Sequence, residues 1–184
     1  AFGEVSHDTR GGVKAKGRAA RQQDRVGTLD QVDTAAGTRV TLIAGVGTAY
    51  DVAFDLAGTN AYLVTYSGGT SHVYRYDTTT WGRDAGFDVI IPNSGLAYGV
   101  AVGPDRRIYI SHYYGKIYRY FASGAQDSWT VTSPGYFTKG LSFGPDGLLY
   151  VAADTAGVAR TDPASASPVR SFWRSLGRWA RRWR

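Results

Sequence analysis

The residues of this chain with evident chemical capacity are few and dispersed. His112 lies beside Tyr113 and Tyr114 at the end of a short apolar stretch, and an imidazole titrates close enough to neutrality to act as acid, base or ligand. A lone loop His is equally at home as a hydrogen-bonded structural group, so His112 is a candidate rather than a site. His72 opens another such stretch, and His7 falls in an irregular leader. The absence of Cys excludes disulfides, thiolate metal sites and thiol nucleophiles. Asp77, Asp105, Asp146 and Asp162 stand where the chain must turn, and an Asp there hydrogen-bonds its own backbone. No nucleophile elbow, phosphate-cradling Gly loop or zinc spacing is present; Ser67-Gly68-Gly69 lacks a following Lys and reads as a flexible loop.

The C-terminus offers a different chemistry. Phe172, Leu176, Trp179 and Trp183 recur at helical spacing with Trp173 alongside, while Arg174, Arg178, Arg181 and Arg182 cover the remainder. A basic, Trp-rich amphipathic stretch fits an anionic membrane surface or an acidic partner, and Trp and Arg are frequent interface anchors. A solvated tail, a frayed final strand and a non-native terminus are the competing readings. The net charge of +6 is concentrated at the ends. Residues 1–25 hold six Lys/Arg against three acids and read as a flexible basic leader; residues 170–184 hold six Arg and no acid. The stretch between them has nine basic and twelve acidic residues, so nothing points to specific nucleic-acid binding by the domain. No apolar run is long enough for a membrane-spanning helix. The chain has no Met, hence the expectation of a processed chain or a fragment; a removed export signal favours a periplasmic or extracellular location.

What must position these residues is a repeat. Asp51-Val52-Ala53-Phe54 leads to Tyr62-Leu63-Val64, Gly99-Val100-Ala101-Val102 to Ile108-Tyr109-Ile110, and Gly140-Leu141-Ser142-Phe143 to Leu149-Tyr150-Val151. The period is 48 and then 41 residues, with Gly-Pro-Asp turns in two copies. Short alternating strands at that spacing are the mark of β-propeller blades. Third strands recur as Val73–Tyr76, Ile117–Tyr120 and Val158–Thr161, and fourth strands as Phe87–Ile91, Ser128–Thr132 and Pro168–Trp173. Upstream, Thr28–Asp33 and Arg39–Ile43 read as the last two strands of a preceding blade. The fold expected is all-β: a β-propeller segment over residues 26–173, with three complete four-stranded blades, half of a preceding one, and a basic tail over 174–184.

The phrase Gly-Val-Ala-Val-Gly-Pro-Asp, followed by Ile-Tyr-Ile and Lys-Ile-Tyr-Arg-Tyr, resembles the repeats of NHL-type propellers and of the gluconolactonase/strictosidine-synthase-like superfamily. The resemblance covers about residues 28–173 and implies a ligand face built from the second-to-third and fourth-to-first strand loops. It places Tyr66, Tyr98, His112, Tyr113, Tyr114, Tyr136 and Phe137 on or beside that face. Metal-dependent members hold a hard cation at the pore, which would assign Ca or Mg to Asp51 and Asn93 and make His112 a catalytic candidate. One pore carboxylate is a poor cage. The leading expectation is therefore a non-catalytic, cofactor-free module for protein binding or assembly, because the resembled rings have six or seven blades, so that the rest of the ring is either missing from this sequence or supplied by a partner chain or a second copy. A lactonase- or lyase-like enzyme and a carbohydrate-binding lectin are the alternatives. In the tail, Trp173, Arg174, Arg178, Trp179, Arg182 and Trp183 are the expected contact residues.

Overall fold

The computed structural model describes residues 27–91, 96–133, 137–154, 157–165 and 170–171. Every regular element among them is a β-strand. Strands β1 (Thr28–Asp33) and β2 (Thr38–Ala44) form a hairpin, the half-blade. Blade 1 contains β3 (Thr48–Phe54), β4 (Asn60–Ser67), β5 (Thr70–Asp77) and β6 (Arg83–Ile90). Blade 2 contains β7 (Ala97–Val102), β8 (Ile108–His112), β9 (Lys116–Tyr120) and β10 (Gln126–Thr132). Blade 3 contains β11 (Thr138–Phe143), β12 (Leu149–Ala153), β13 (Gly157–Thr161) and β14 (Arg170–Ser171). Each sheet is an antiparallel meander in sequence order, as the repeat predicts. The basic leader and the Arg/Trp tail, with Trp173, Arg174, Arg178, Trp179, Arg182 and Trp183, lie outside the described residues.

The strands form because their alternating side chains serve two neighbours at once. Leu29 and Ile43 of the half-blade meet Ala61, Leu63 and Tyr76 of blade 1. Val64, Val73, Phe87 and Val89 leave the other side of blade 1 to meet Val100, Ile108, Ile110 and Tyr118 of blade 2. Tyr109, Ile117, Trp129 and Val131 then meet Leu149, Val151 and Ala159 of blade 3. The core is thus a series of apolar seams between sheets, each dependent on both blades.

The turns follow their sequence chemistry. Asp105 Oδ1 accepts the Arg107 amide at 3.2 Å and Asp146 Oδ1 the Leu148 amide at 3.1 Å, as their turn positions predict. Each also receives a phenol from the following strand, Tyr109 and Tyr150 donating at 2.9 Å to Asp105 Oδ2 and Asp146 Oδ2. One loop expectation is corrected. Ser67 ends β4, and Gly68 and Gly69, at φ of 59° and 87°, make a two-residue hairpin in place of a flexible loop. Positive φ at both central residues matches the twist of the flanking strands, and Gly takes it without steric cost.

The blades are also clasped by a repeated Arg. Arg75 on β5 donates through Nε to Asp84 of its own sheet at 3.1 Å and through Nη1 to the Ala122 carbonyl of blade 2 at 2.8 Å. Arg119 on β9 repeats this, donating to Asp127 at 2.9 Å and to the Pro163 carbonyl of blade 3 at 3.0 Å. Guanidinium suits the task because its planar donors serve a carboxylate and a carbonyl together.

Candidate functional site

The first strand of every blade carries a β-bulge at the same place. The register slips between Ala49 and Asp51, between Ala97 and Gly99, and between Thr138 and Gly140, leaving Tyr50, Tyr98 and Lys139 as the extra residues. A bulge re-aims the side chain it carries and ends regular pairing. Two of the three side chains so placed are tyrosines. The third, Lys139, stands 3.7 Å from Asp154.

From these bulges an aromatic row crosses the blades. Tyr50 meets Tyr98 edge-on at 5.3 Å between centroids, Tyr98 lies 6.2 Å from Tyr113, and Tyr113 meets Phe137 at 4.5 Å and Tyr114 at 5.2 Å, both near perpendicular. Edge-to-face contacts of this kind use the ring quadrupole and fix each ring against the next. The backbone beneath is tied: the Tyr113 amide donates to the Leu96 carbonyl at 2.8 Å, and the Phe137 amide to the Tyr113 carbonyl at 2.8 Å. Phe137 takes φ of 61°, a left-handed conformation that an aromatic residue adopts only when its surroundings hold it. The row remains partly open, with Tyr114 at 51% exposure the most accessible ring. Burial, together with the neighbouring Tyr50 and Tyr113 phenols, raises the Tyr98 phenol above its ordinary pKa.

His112 lies under this row. It is fully buried; its Nδ1 lies 3.3 Å from the Tyr114 amide, and its carbonyl accepts the Thr138 hydroxyl at 2.7 Å and the Gly115 amide at 2.9 Å. These bonds hold the Tyr113-Tyr114 turn and the start of blade 3, a structural use of the imidazole and its backbone. His72 is on blade 1, with Nδ1 2.8 Å from Asp88 and its ring stacked on Tyr74. Tyr66 lies outside the row, pairing with Thr48 and Ser71 near the end of β4. Tyr136 is outside the described residues.

Asp51 bridges two blades. Its Oδ1 accepts the Val52 amide at 2.9 Å and its Oδ2 the Val100 amide of blade 2 at 3.0 Å. Both oxygens therefore have backbone donors, one from its own strand and one from the next blade. Asn93, the second oxygen donor of the metal alternative, lies outside the described residues. Among the described residues no three His, Asp or Glu side chains converge into a metal-binding group. On the opposite end of the sheets, Asp55, Asn60, Tyr62, Arg75, Val102 and Arg106 help line an open cleft of ≈ 440 Å³ between blades 1 and 2.

Sequence reasoning collected the aromatic residues as a loop face but missed the device that aligns them. The signal was present as a break in alternation, one residue too many between Ala49 and Asp51 and between Ala97 and Gly99. It also passed over Arg75 and Arg119, whose repetition within Tyr-Arg-Tyr was visible.

No protein-family model matches the chain, and no curated protein does. Solved structures do. Hydrazine synthase of Kuenenia stuttgartiensis superposes with a TM-score of 0.60 at 17% identity, covering 77% of this chain and 41% of that one. TolB of Acinetobacter baumannii gives 0.58 at 19%, covering 78% and 37%. Regucalcin of Agrobacterium tumefaciens, a calcium-binding protein, gives 0.56 at 21%, covering 70% and 44%. These are β-propeller proteins, and the likeness shows that fold for this chain. The chain spans less than half the length of each.

Proposed function

We propose that this chain is a non-catalytic propeller module for protein binding and assembly, with the row Tyr50, Tyr98, Tyr113, Tyr114 and Phe137 as its recognition surface. The observation that carries the reading is the continuity of that row across three blades, on bulges and turns that fix the rings before a ligand arrives. Rigid Tyr rings supply contact area at small entropic cost, and the backbone and phenol groups beside them supply hydrogen bonds. The buried His112 imidazole lies against the Tyr114 amide, and the Asp51 carboxylate joins two blades. Val158 on blade 3, 42% exposed where the equivalent Ile117 of blade 2 is buried, supports the second half of the reading, in which that face is covered by packing.

The test is retention of a displayed library of linear peptides by the intact chain, repeated with Tyr113→Ala and Tyr98→Ala. Peptides enriched by the parent and weakened at least tenfold by both substitutions are expected, because truncating a central aromatic anchor costs upward of ~1.4 kcal/mol. Retention that ignores both substitutions overturns the assignment of the row. Glycan binding without peptide binding would carry the lectin alternative. Stoichiometric Ca or Mg binding lost on Asp51→Ala would carry the enzyme one.

A further inference from the structure

The turn between the first two strands recurs in every complete blade, and one copy departs from the pattern. The Gly58 amide donates to the Asp55 carbonyl at 3.0 Å, the Arg106 amide to the Gly103 carbonyl at 2.9 Å, and the Gly147 amide to the Gly144 carbonyl at 3.0 Å. The three positions are therefore equivalent, and all are left-handed, at φ of 69°, 60° and 74°. Glycine reaches that region without steric cost. An arginine held there is strained, and strain of this kind gathers where a side chain is kept for a purpose other than folding.

Arg106 lines the open cleft of ≈ 440 Å³ between blades 1 and 2, a volume within the roughly 300–1,000 Å³ of small-molecule sites. Leu56, Ala57, Val102 and Ala122 give that cleft apolar walls. Leu56, at 64% exposure, is the most open large apolar side chain among the described residues, so a ligand has apolar surface to cover. Two charged groups of the lining are already engaged. Asp55 accepts the Thr59 amide at 2.7 Å, the Thr59 hydroxyl at 2.9 Å and Asn60 Nδ2 at 2.7 Å. Arg75 is held by Asp84 and by the Ala122 carbonyl. Arg106 differs. Arg39, Arg75, Arg83, Arg107 and Arg119 each pair with an aspartate, whereas the Arg106 guanidinium has neither an ion pair nor a hydrogen bond among the described residues.

We propose that this cleft binds a small apolar carboxylate, with its hydrocarbon body on Leu56 and Val102 and its two oxygens on Arg106. One uncommitted guanidinium matches one negative charge, and its planar donors fit both oxygens of a carboxylate. Although burial works to raise it, the bonds from Asn60 and Thr59 hold the Asp55 carboxyl below its ordinary pKa, so its charge persists near neutrality. A phosphate would bring a second negative charge toward Asp55 with no further free cation to meet it. The cleft lies at the end of the sheets opposite the aromatic row, so this ligand is additional to the one recognised there.

The experiment titrates the complete chain with octanoate and with phenylacetate, up to about 5 mM, by isothermal titration calorimetry, each beside its neutral amide. Saturable one-to-one binding of at least one acid is expected, with its amide at least about tenfold weaker. Arg106→Gly should weaken that acid at least about tenfold and bring it level with the amide, through loss of the charge-assisted pair. The same substitution should leave Tm unchanged or raise it, because it restores the residue of the other two copies. Leu56→Asp, at an exposed position, should weaken the acid while leaving the circular dichroism spectrum unchanged. Failure of both acids to bind overturns the inference, as does equal binding of acid and amide, binding indifferent to either substitution, or a Tm lowered by Arg106→Gly. Peptide retention through Tyr113 should persist in Arg106→Gly, so the cleft and the aromatic row fail independently.

Discussion

Gly99 and Gly140 occupy the same repeat position, and substituting each with Ala should have opposite consequences. A Cβ at Gly99 would lie 2.6 Å from the Lys139 carbonyl oxygen of blade 3 and 2.8 Å from Ser111 Oγ. Carbon and oxygen in contact need over half an ångström more than that, and the nearer obstacle is backbone of the next sheet, which cannot rotate away. The seam must open or β7 must shift, an overpacking cost of about 1–3 kcal/mol. At Gly140 the new Cβ would meet only Ala152 Cβ at 3.7 Å, an ordinary contact, because no described sheet lies beyond it. Lower entropy of the unfolded chain should make that change neutral or favourable by about 0.4–1 kcal/mol. For a chain of this size 1 kcal/mol corresponds to roughly 2–4 °C, so Gly99→Ala should lower Tm by about 3–10 °C and Gly140→Ala should leave or slightly raise it. Thermal unfolding followed by circular dichroism reads both. Equal losses at the two positions would refute the reasoning, since a purely local preference of the bulge for Gly would act on both alike.

Arg119→Ala should destabilise by about 2–3 kcal/mol in urea unfolding, through the bonds to Pro163 and Asp127 and the guanidinium 5.0 Å over Trp129, with Arg119→Lys restoring less than half because one ammonium cannot serve both acceptors in the fork geometry. Two buried tyrosines should separate by hydrogen bonding: Tyr109→Phe should cost about 1 kcal/mol through its bond to Asp105, whereas Tyr120→Phe should be neutral or stabilising, since its buried hydroxyl has no hydrogen-bond partner among the described residues. Burial pushes both phenols up to about 12, so from about pH 10 the unfolded chain releases protons that the folded chain retains. Their contribution is complete below pH 10 and declines as pH rises toward 12; Tm measured from pH 8 to 12 should fall over that window, less steeply in Tyr120→Phe.

The fold was largely legible because its causes are periodic. Alternation in Val100-Ala101-Val102, the Gly-Pro-Asp turns and the 41-residue spacing each constrain the backbone locally, and they agree with one another. What escaped reading depends on contacts between residues more than 25 positions apart. Nothing near Arg75 announces that its guanidinium reaches Ala122, and nothing near His112 announces that blade 3 will close over it through Thr138. The bulges are intermediate: a single extra residue is visible once strand pairing is known, but sequence alone allows the slip anywhere from Ala49 to Asp51. Hence Tyr50 and Tyr98 could be grouped as aromatics near a face, while their alignment with Tyr113 required the registers.

Where copies of the repeat agree, they describe a blade; where they diverge, they describe a place in the stack. Asp51 spans to Val100 where blades 1 and 2 leave room for a carboxylate, and Gly99 replaces it where Lys139 O comes close enough to forbid any side chain. Tyr50 and Tyr98 on two bulges give way to Lys139 on the third, and among the described residues the aromatic row continues from Tyr98 through Tyr113 to Phe137. Gln31 stands in the half-blade where blades 1 and 2 carry Arg75 and Arg119, so the clasp begins only with the first complete sheet. A surface that changes from blade to blade in this way can define one end, one direction and one boundary for a bound chain, which a perfectly regular array of identical blades cannot do.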